Sequence, residues 1–101
     1  MYSTQGLFIA GAWRSASDGV AMPVHSPVTE AQIGLIPVAT EADQDAALAE
    51  AARSFPLWAA TPAWDRAGVL RRAADHLRAN ADALARVMST ETGKPLAEAR
   101  A

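Results

Sequence analysis

One stretch with a helical hydrophobic period, residues 61–94, constrains the fold of this 101-residue chain more than any other feature. Its apolar side chains recur at steps of three and four residues, at Ala67, Leu70, Ala74, Leu77, Leu84, Val87 and Met88. This spacing predicts amphipathic helix. We predict a break near Asn80, because asparagine both ends helices and caps new ones, with one long kinked helix as the alternative. Gly93 is predicted to end the second piece.

Capping residues predict where the other helices begin and end. Thr40 and Asp43 have the spacing of a capping box, so a helix is predicted to open at Thr40 and to end at Pro56. Residues 57–60 are then a linker, and Thr61 caps the next helix with Pro62 at its first position. A further helix starts at residues 94–101 without a stop signal, which predicts a chain cut from a longer one.

The stretch before Thr40 is predicted to form short strands, all within residues 7–36. A hairpin turn at Ala10–Gly11 is predicted between strands at residues 7–9 and 12–13, although asparagine or glycine would suit position 10 better. Residues 20–24 alternate and contain Pro23, which predicts an edge strand. Further turns are predicted at residues 15–19 and 26–30, before a last strand at residues 32–36.

Composition limits both the core and the classes of partner. Half of the residues are apolar and the net charge is −2, which is typical of soluble globular chains, but much of the apolar half is alanine and the core is expected to be thin. Trp13, Trp58 and Trp64 are the predicted anchors of a core or an interface. The acidic balance argues against nucleic acid, and no stretch reads as a signal peptide or a membrane span.

No catalytic or ligand-binding set is evident among these residues. The chain has no cysteine, which excludes thiolate chemistry within it. A phosphate loop at Gly93–Lys94 is rejected because Met88 stands in place of its first glycine and Pro95 in place of its serine or threonine. His25 and His76 lack a third ligand for a metal. Asp75 and Glu91 fit helix surfaces better than a carboxylate pair.

Six segments nevertheless resemble the aldehyde dehydrogenase family in order and spacing. They are Leu7–Trp13, Ser26–Glu30, Val38–Asp43, Phe55–Trp58, Arg66–Asp75 and Glu91–Arg100, of which the last, ETGKPLAEAR, is the most specific. The chain departs from the family pattern at Ala10 and Ser26, in turns, and at Glu30–Ala31, after a turn. Among subfamilies, succinate-semialdehyde dehydrogenases are the most similar.

The resemblance implies an α+β fragment of an α/β protein. N-terminal β-hairpin strands followed by three to four helices would pack on a Rossmann-like dinucleotide-binding domain, and residues 1–101 would be the incomplete N-terminal segment of the cofactor-binding domain. The complete protein would be a cytoplasmic homodimer or homotetramer that oxidises an aldehyde, such as succinate semialdehyde, with NAD or NADP. The partner of this segment would be the remainder of its own chain, with no nucleic acid and no membrane.

The family's catalytic cysteine, glutamate and oxyanion-binding asparagine have no counterpart here, so we expect no catalytic, cofactor-binding or metal-binding residue in this chain. Alone, it is expected to be inactive and to bind neither NAD nor NADP. Some family members hold a cation through backbone carbonyls that would correspond to Val24 and His25, but the remaining ligands would lie beyond residue 101. A CoA-acylating semialdehyde dehydrogenase and a non-catalytic helical interaction module are the alternatives.

Overall fold

The chain begins with a tight two-stranded hairpin. The computed structural model describes residues 5–100, where β1 (Leu7–Ile9) pairs antiparallel with β2 (Ala12–Arg14) and places Phe8 opposite Trp13. Ala10 has φ 54° and Gly11 has φ 78°, so both central residues take the positive φ that a type I′ hairpin turn requires. The predicted hairpin is confirmed, even with alanine at a position that strains it.

A second two-stranded sheet follows, made of β3 (Ala21–His25) and β4 (Gln32–Pro37). Gly19, with φ 75°, ends the turn before β3 and donates its N–H to the Ala16 carbonyl at 2.9 Å. Both strands of a two-stranded sheet are edge strands. Pro23 is therefore tolerated, because an edge strand does not need every backbone N–H for pairing. The predicted edge strand and both predicted turns are confirmed.

Four helices complete the described chain, α1 (Glu41–Ala60), α2 (Ala63–Ala79), α3 (Ala81–Thr92) and α4 (Leu96–Ala99). The prediction that Pro56 ends α1 is wrong, because the helix continues through it to Ala60. Residues 57–60 are therefore helix and not a linker. Proline removes its own amide donor and crowds the carbonyl four residues before it, but the alanine-rich sequence around it has high helix propensity, and the last turn still forms.

The boundaries of α2 and α3 follow the sequence closely. Pro62 occupies the cap of α2 with an extended ψ of 143° and no side-chain cap bond, one position later than predicted for Thr61. The break at Asn80 is confirmed, although its φ of −110° is not left-handed. Its side-chain amide instead donates to the His76 carbonyl at 2.8 Å. Gly93, with φ 72°, ends α3 as predicted.

The described residues form two compact units, each assembled from two stretches of sequence. The first unit comprises residues 5–24 and 34–60, and the second comprises residues 25–33 and 61–100. Among the described residues, Ala16 and Ala85 are the buried apolar side chains, one in each unit. The predicted thin core is confirmed.

The three tryptophans do not anchor a core within this chain. Trp13, Trp58 and Trp64 are 65%, 42% and 79% exposed, because neither unit brings enough apolar surface to cover them. Their predicted role in an interface stays a prediction. None of the helices within residues 5–100 is both long and apolar enough to cross a membrane.

Candidate functional site

The carboxylate of Asp43 is the most buried polar side chain of the first unit, with 2% of the residue exposed. It lies in the first turn of α1, where the helix dipole favours negative charge. Its Oδ2 accepts the backbone N–H of Thr40 at 3.0 Å, and Thr40 Oγ1 accepts the N–H of Asp43 at 3.2 Å. These reciprocal bonds confirm the predicted capping box.

The same carboxylate also binds the loop that follows β2, which the sequence did not predict. Ser17 donates its backbone N–H to Asp43 Oδ2 at 3.0 Å, and Arg14 Nη2 lies 3.3 Å from Oδ1. We call the four residues Arg14, Ser17, Thr40 and Asp43 the Asp43 clamp. The clamp fixes the end of the hairpin to the beginning of α1 within the first unit.

The two hydroxyls of the clamp form a chain of hydrogen bonds that ends on the Asp43 carboxylate. Ser17 Oγ and Thr40 Oγ1 are 2.7 Å apart, and they lie 3.2 and 3.0 Å from Asp43 Oδ2. Each hydroxyl carries one proton, and a 2.7 Å O–O distance is that of a hydrogen bond. One hydroxyl therefore donates to the carboxylate while the other donates to the first hydroxyl.

These bonds keep the Asp43 carboxylate ionised at neutral pH, so that it only accepts hydrogen bonds. The backbone N–H groups of Ser17 and Thr40, helped by the hydroxyls, lower the pKa of Asp43 from 3.8 to about 2, against the opposing effect of burial. A general base needs a pKa near the working pH and a free lone pair facing its substrate. The Asp43 clamp has neither, so its role is to hold the fold.

A second cluster joins two of the segments that carry the family resemblance. Gly93, at the end of α3, lies against the turn at Pro27 and Val28, so that a Cβ at position 93 would meet Pro27 Cγ and Val28 Cγ2 at 3.3 Å each. Ser26, 6% exposed, supports this turn by accepting the N–H groups of Val28 and Thr29 on its Oγ at 3.3 and 3.4 Å. This cluster belongs to the second unit.

The other residues considered from the sequence lie apart from one another. His25 and His76 are exposed, and no group of three histidine, cysteine, aspartate or glutamate residues within residues 5–100 could hold a metal. The amide of Gly93 donates to the Ser89 carbonyl and that of Lys94 to Thr92 Oγ1, at 2.9 and 3.3 Å. Neither amide is free for a phosphate.

The helix-surface residues form local pairs. Asp75 binds Arg78 at 3.0 Å in an exposed ion pair. Arg71 lies over the Trp64 ring at 5.7 Å from its centroid. The ion pair agrees with the prediction that Asp75 has a role at the helix surface.

Each unit has an open groove with a mainly apolar lining. The groove of the first unit, of about 360 Å³, lies beside the hairpin and is bounded by Trp13, Val20, Leu35 and Pro37. The groove of the second unit, of about 340 Å³, lies among α2, α3 and α4. Ser15 lines the first groove, but neither groove is lined by a histidine, a cysteine or a carboxylate, so neither offers a general base that could activate this hydroxyl.

Comparison with known proteins agrees with the resemblance of the sequence segments. The model of the aldehyde dehydrogenase family matches residues 13–101. Glutarate-semialdehyde dehydrogenase of Pseudomonas aeruginosa is 41% identical over 96 residues, a match that covers 95% of this chain and 20% of that protein. The chain thus spans about a fifth of the length of this curated relative.

Solved structures give the same result. Succinate-semialdehyde dehydrogenase from Burkholderia pseudomallei superposes with a TM-score of 0.92 and 36% identity, over 96% of this chain and 20% of that one. PnpE in complex with nicotinamide adenine dinucleotide superposes with a TM-score of 0.91 and 35% identity, over 95% and 20%. From the family match and these relatives, we conclude that the chain belongs to the aldehyde dehydrogenase family.

Proposed function

We propose that this chain is the N-terminal part of an NAD(P)-dependent dehydrogenase that oxidises an aldehyde to its carboxylic acid. The observation that carries the proposal is the family match over residues 13–101. The chain covers only 20% of the length of the curated relative, which supports its being one part of a longer protein. Oxidation through a covalent thioester needs a thiolate, and this chain has no cysteine. The chemistry would therefore lie in the remainder of the polypeptide, and this segment would supply framework.

Two of the relatives support a short aldehyde that also carries a carboxylate as the substrate class. One is named a glutarate-semialdehyde dehydrogenase and another a succinate-semialdehyde dehydrogenase. The cofactor would be NAD or NADP, as one matched structure contains nicotinamide adenine dinucleotide, and it would accept the hydride. We further propose that this chain alone binds no cofactor and, having no cysteine, turns over no aldehyde.

The architecture proposed for the complete protein follows the same reasoning. The strand pairs and helices described above would pack on a Rossmann-like domain formed by the remainder of the chain. That remainder is the proposed partner of residues 1–101, and the complete enzyme would assemble as a cytoplasmic homodimer or homotetramer. The exposed apolar side chains of both units support a covering partner, because monomeric proteins rarely leave so much apolar surface in contact with water.

The experiment replaces a segment in a related enzyme. In the Pseudomonas aeruginosa relative, the stretch matched by this chain is exchanged for residues 1–101, giving a protein that we call the exchanged dehydrogenase. We expect it to reduce NAD or NADP when given glutarate or succinate semialdehyde, measured by the absorbance of the reduced nicotinamide. The relative without the stretch, and the 101-residue chain alone, are the controls and should show no turnover.

Two results would contradict the proposal. One is an exchanged dehydrogenase that folds and assembles like its parent but has no activity. The other is turnover above the blank by the purified 101-residue chain. Adding coenzyme A to the same assay tests the CoA-acylating alternative, and reading the coding sequence beyond residue 101 tests the interaction module, which requires a stop codon there.

A further inference from the structure

Asp18–Gly19 is the only aspartate–glycine pair in this chain. Glycine has no Cβ, so its backbone nitrogen can attack the carboxyl of the preceding aspartate with the least hindrance. The attack forms a five-membered imide and releases water, and water then opens the ring at either of its two carbonyls. One opening restores aspartate, and the other gives isoaspartate, in which the main chain runs through the side-chain carboxyl. Water leaves and returns, so the isomerisation needs no oxidant and no enzyme.

The surroundings of this pair leave room for the imide. Asp18 and Gly19 are both exposed. A Cβ built on Gly19 would have nothing within 4 Å of it. The described residues therefore put no steric barrier in the way of the ring or of the water that opens it.

The native turn nevertheless holds both reacting groups in hydrogen bonds. Gly19 donates its N–H to the Ala16 carbonyl at 2.9 Å, and Asp18 Oδ1 accepts the Val20 N–H at 2.9 Å. To form the imide, the Gly19 nitrogen must turn towards the Asp18 carboxyl and lose its proton, so the first of these bonds has to break. The reaction therefore proceeds from the opened turn, and its rate follows the population of that open state.

The Asp43 clamp lies directly beside this turn. Ser17, the residue before Asp18, donates its backbone N–H to Asp43 Oδ2 at 3.0 Å, and its hydroxyl lies 3.2 Å from the same oxygen. The far end of the turn is held as well, since Val38 donates its N–H to the Val20 carbonyl at 2.9 Å. Hydrogen bonds to a carboxylate are stronger than those between neutral groups, so the clamp is the main restraint on opening.

We propose that Asp18 is a site of spontaneous isoaspartate formation and that the Asp43 clamp sets its rate by keeping the turn at residues 16–19 closed. The product acts back on the clamp. Isomerisation lengthens the main chain by one carbon atom and takes the Asp18 carboxylate away from the Val20 N–H that it accepts in the native turn. The lengthened turn no longer matches the clamp, so an isomerised chain has a weakened connection between the hairpin and α1.

The test compares two aspartates of α1 in the exchanged dehydrogenase, which has to be folded but not active. Asp43 belongs to the clamp, whereas Asp45 is exposed. Each is replaced by asparagine, and the proteins are kept at neutral pH and body temperature. Isoaspartate at residue 18 is measured by separating the two peptide forms of equal mass and locating the change by fragmentation. We expect it to form at least about tenfold faster in Asp43→Asn than in Asp45→Asn, which should stay within about twofold of the parent.

A measurement without substitution tests the protection that the turn provides. In the parent, isoaspartate at residue 18 should form at least about tenfold more slowly in the folded protein than in the protein unfolded by urea. Equal rates in the folded and unfolded protein would overturn the inference, and so would equal rates in Asp43→Asn and Asp45→Asn. The absence of isoaspartate at residue 18 from both the parent and Asp43→Asn would overturn it as well.

Thr40 offers a milder change to the clamp in case Asp43→Asn does not fold, which circular dichroism detects. Thr40→Ala removes a hydroxyl that lies 3.0 Å from Asp43 Oδ2, and Thr40→Ser keeps it. Isoaspartate at residue 18 should form at least about threefold faster in Thr40→Ala than in Thr40→Ser. Equal rates in these two folded variants would contradict the role of the clamp. The proposed function is not tested by any of these results, because none of them depends on enzymatic activity.

Discussion

The contact between Gly93 and the turn at Pro27–Val28 can be measured by comparing two glycines with the same backbone conformation. Gly93 has φ 72° and Gly19 has φ 75°. A Cβ at Gly19 would have nothing within 4 Å, whereas one at Gly93 would meet Pro27 Cγ and Val28 Cγ2 at 3.3 Å. The two substitutions by alanine therefore share the backbone penalty and differ in the steric overlap.

The expected magnitudes follow from these two contributions. The left-handed conformation costs an alanine about 1–2 kcal/mol at either position. Carbon atoms pack best at about 3.5–4.0 Å, so the overlap at Gly93 must be relieved by a shift of the turn, at a further cost of about 1–2 kcal/mol. Gly19→Ala should thus destabilise its turn by about 1–2 kcal/mol, and Gly93→Ala should destabilise the end of α3 by about 2–4 kcal/mol.

Hydrogen exchange in the exchanged dehydrogenase is the assay, because it reports local opening. Every 1.4 kcal/mol corresponds to about tenfold in the opening equilibrium, so peptides at the end of α3 should exchange about 30- to 700-fold faster in Gly93→Ala. Val28 is 73% exposed, so Val28→Ala should cost little by itself and should recover part of the loss in the double variant. Equal effects of Gly93→Ala and Gly19→Ala, with no recovery by Val28→Ala, would refute the steric argument.

Three further predictions concern α1. Thr40→Ala should weaken the first turn of α1 by about 1 kcal/mol, while Thr40→Ser, which keeps the hydroxyl, should not. Hydrogen exchange of residues 41–45 measures both effects. Equal exchange in the two variants would exclude the capping role. Because the pKa of Asp43 is lowered from 3.8 to about 2, its bonds contribute stability above pH 3.8 that is lost as the pH falls through about 2. The helical circular dichroism signal of the exchanged dehydrogenase should fall in this pH range, and that of its Asp43→Asn variant should not. An equal fall in the variant would assign the loss of helix to another titrating group. Pro56→Ala restores an amide donor inside α1 and should stabilise its last turn by about 1–3 kcal/mol, seen as slower exchange of residues 57–60, whereas faster exchange would mean that the proline supports the turn.

Local signals in the sequence were reliable where the determinant of structure is itself local. The capping box at Thr40 and Asp43, the hairpin turn at Ala10–Gly11 and the end of α3 at Gly93 each depend on residues within four positions of one another, and each is confirmed. The end of α1 was mispredicted because the penalty of one proline was weighed without the helix propensity of the alanines on both sides.

The contacts that organise the two units could not be read from the sequence. In the sequence, capping of α1 is a sufficient role for Asp43. Nothing in the pattern therefore indicates that Arg14 and Ser17 bind the same carboxylate. Ending α3 is likewise a sufficient role for Gly93, and the sequence does not show that the turn at Pro27–Val28 fills the space beside it. Contacts over long sequence separations have no period or spacing, and recognising them requires the fold.

The tryptophans show the same limit for burial. Their size predicts that they are covered, but not by which residues, and Trp64 remains 79% exposed within the described chain. The family resemblance, rather than hydrophobicity, pointed to a covering partner outside these residues.

The interleaving of the two units in the sequence has a consequence for synthesis on the ribosome. The first unit, residues 5–24 and 34–60, is complete in sequence once Ala60 has emerged, so the Asp43 clamp can close early. The turn at Pro27–Val28 belongs to the second unit and must wait for Gly93. Contacts between distant segments form slowly, so the nascent chain would carry this turn without its contact to Gly93 while α2 and α3 are being made.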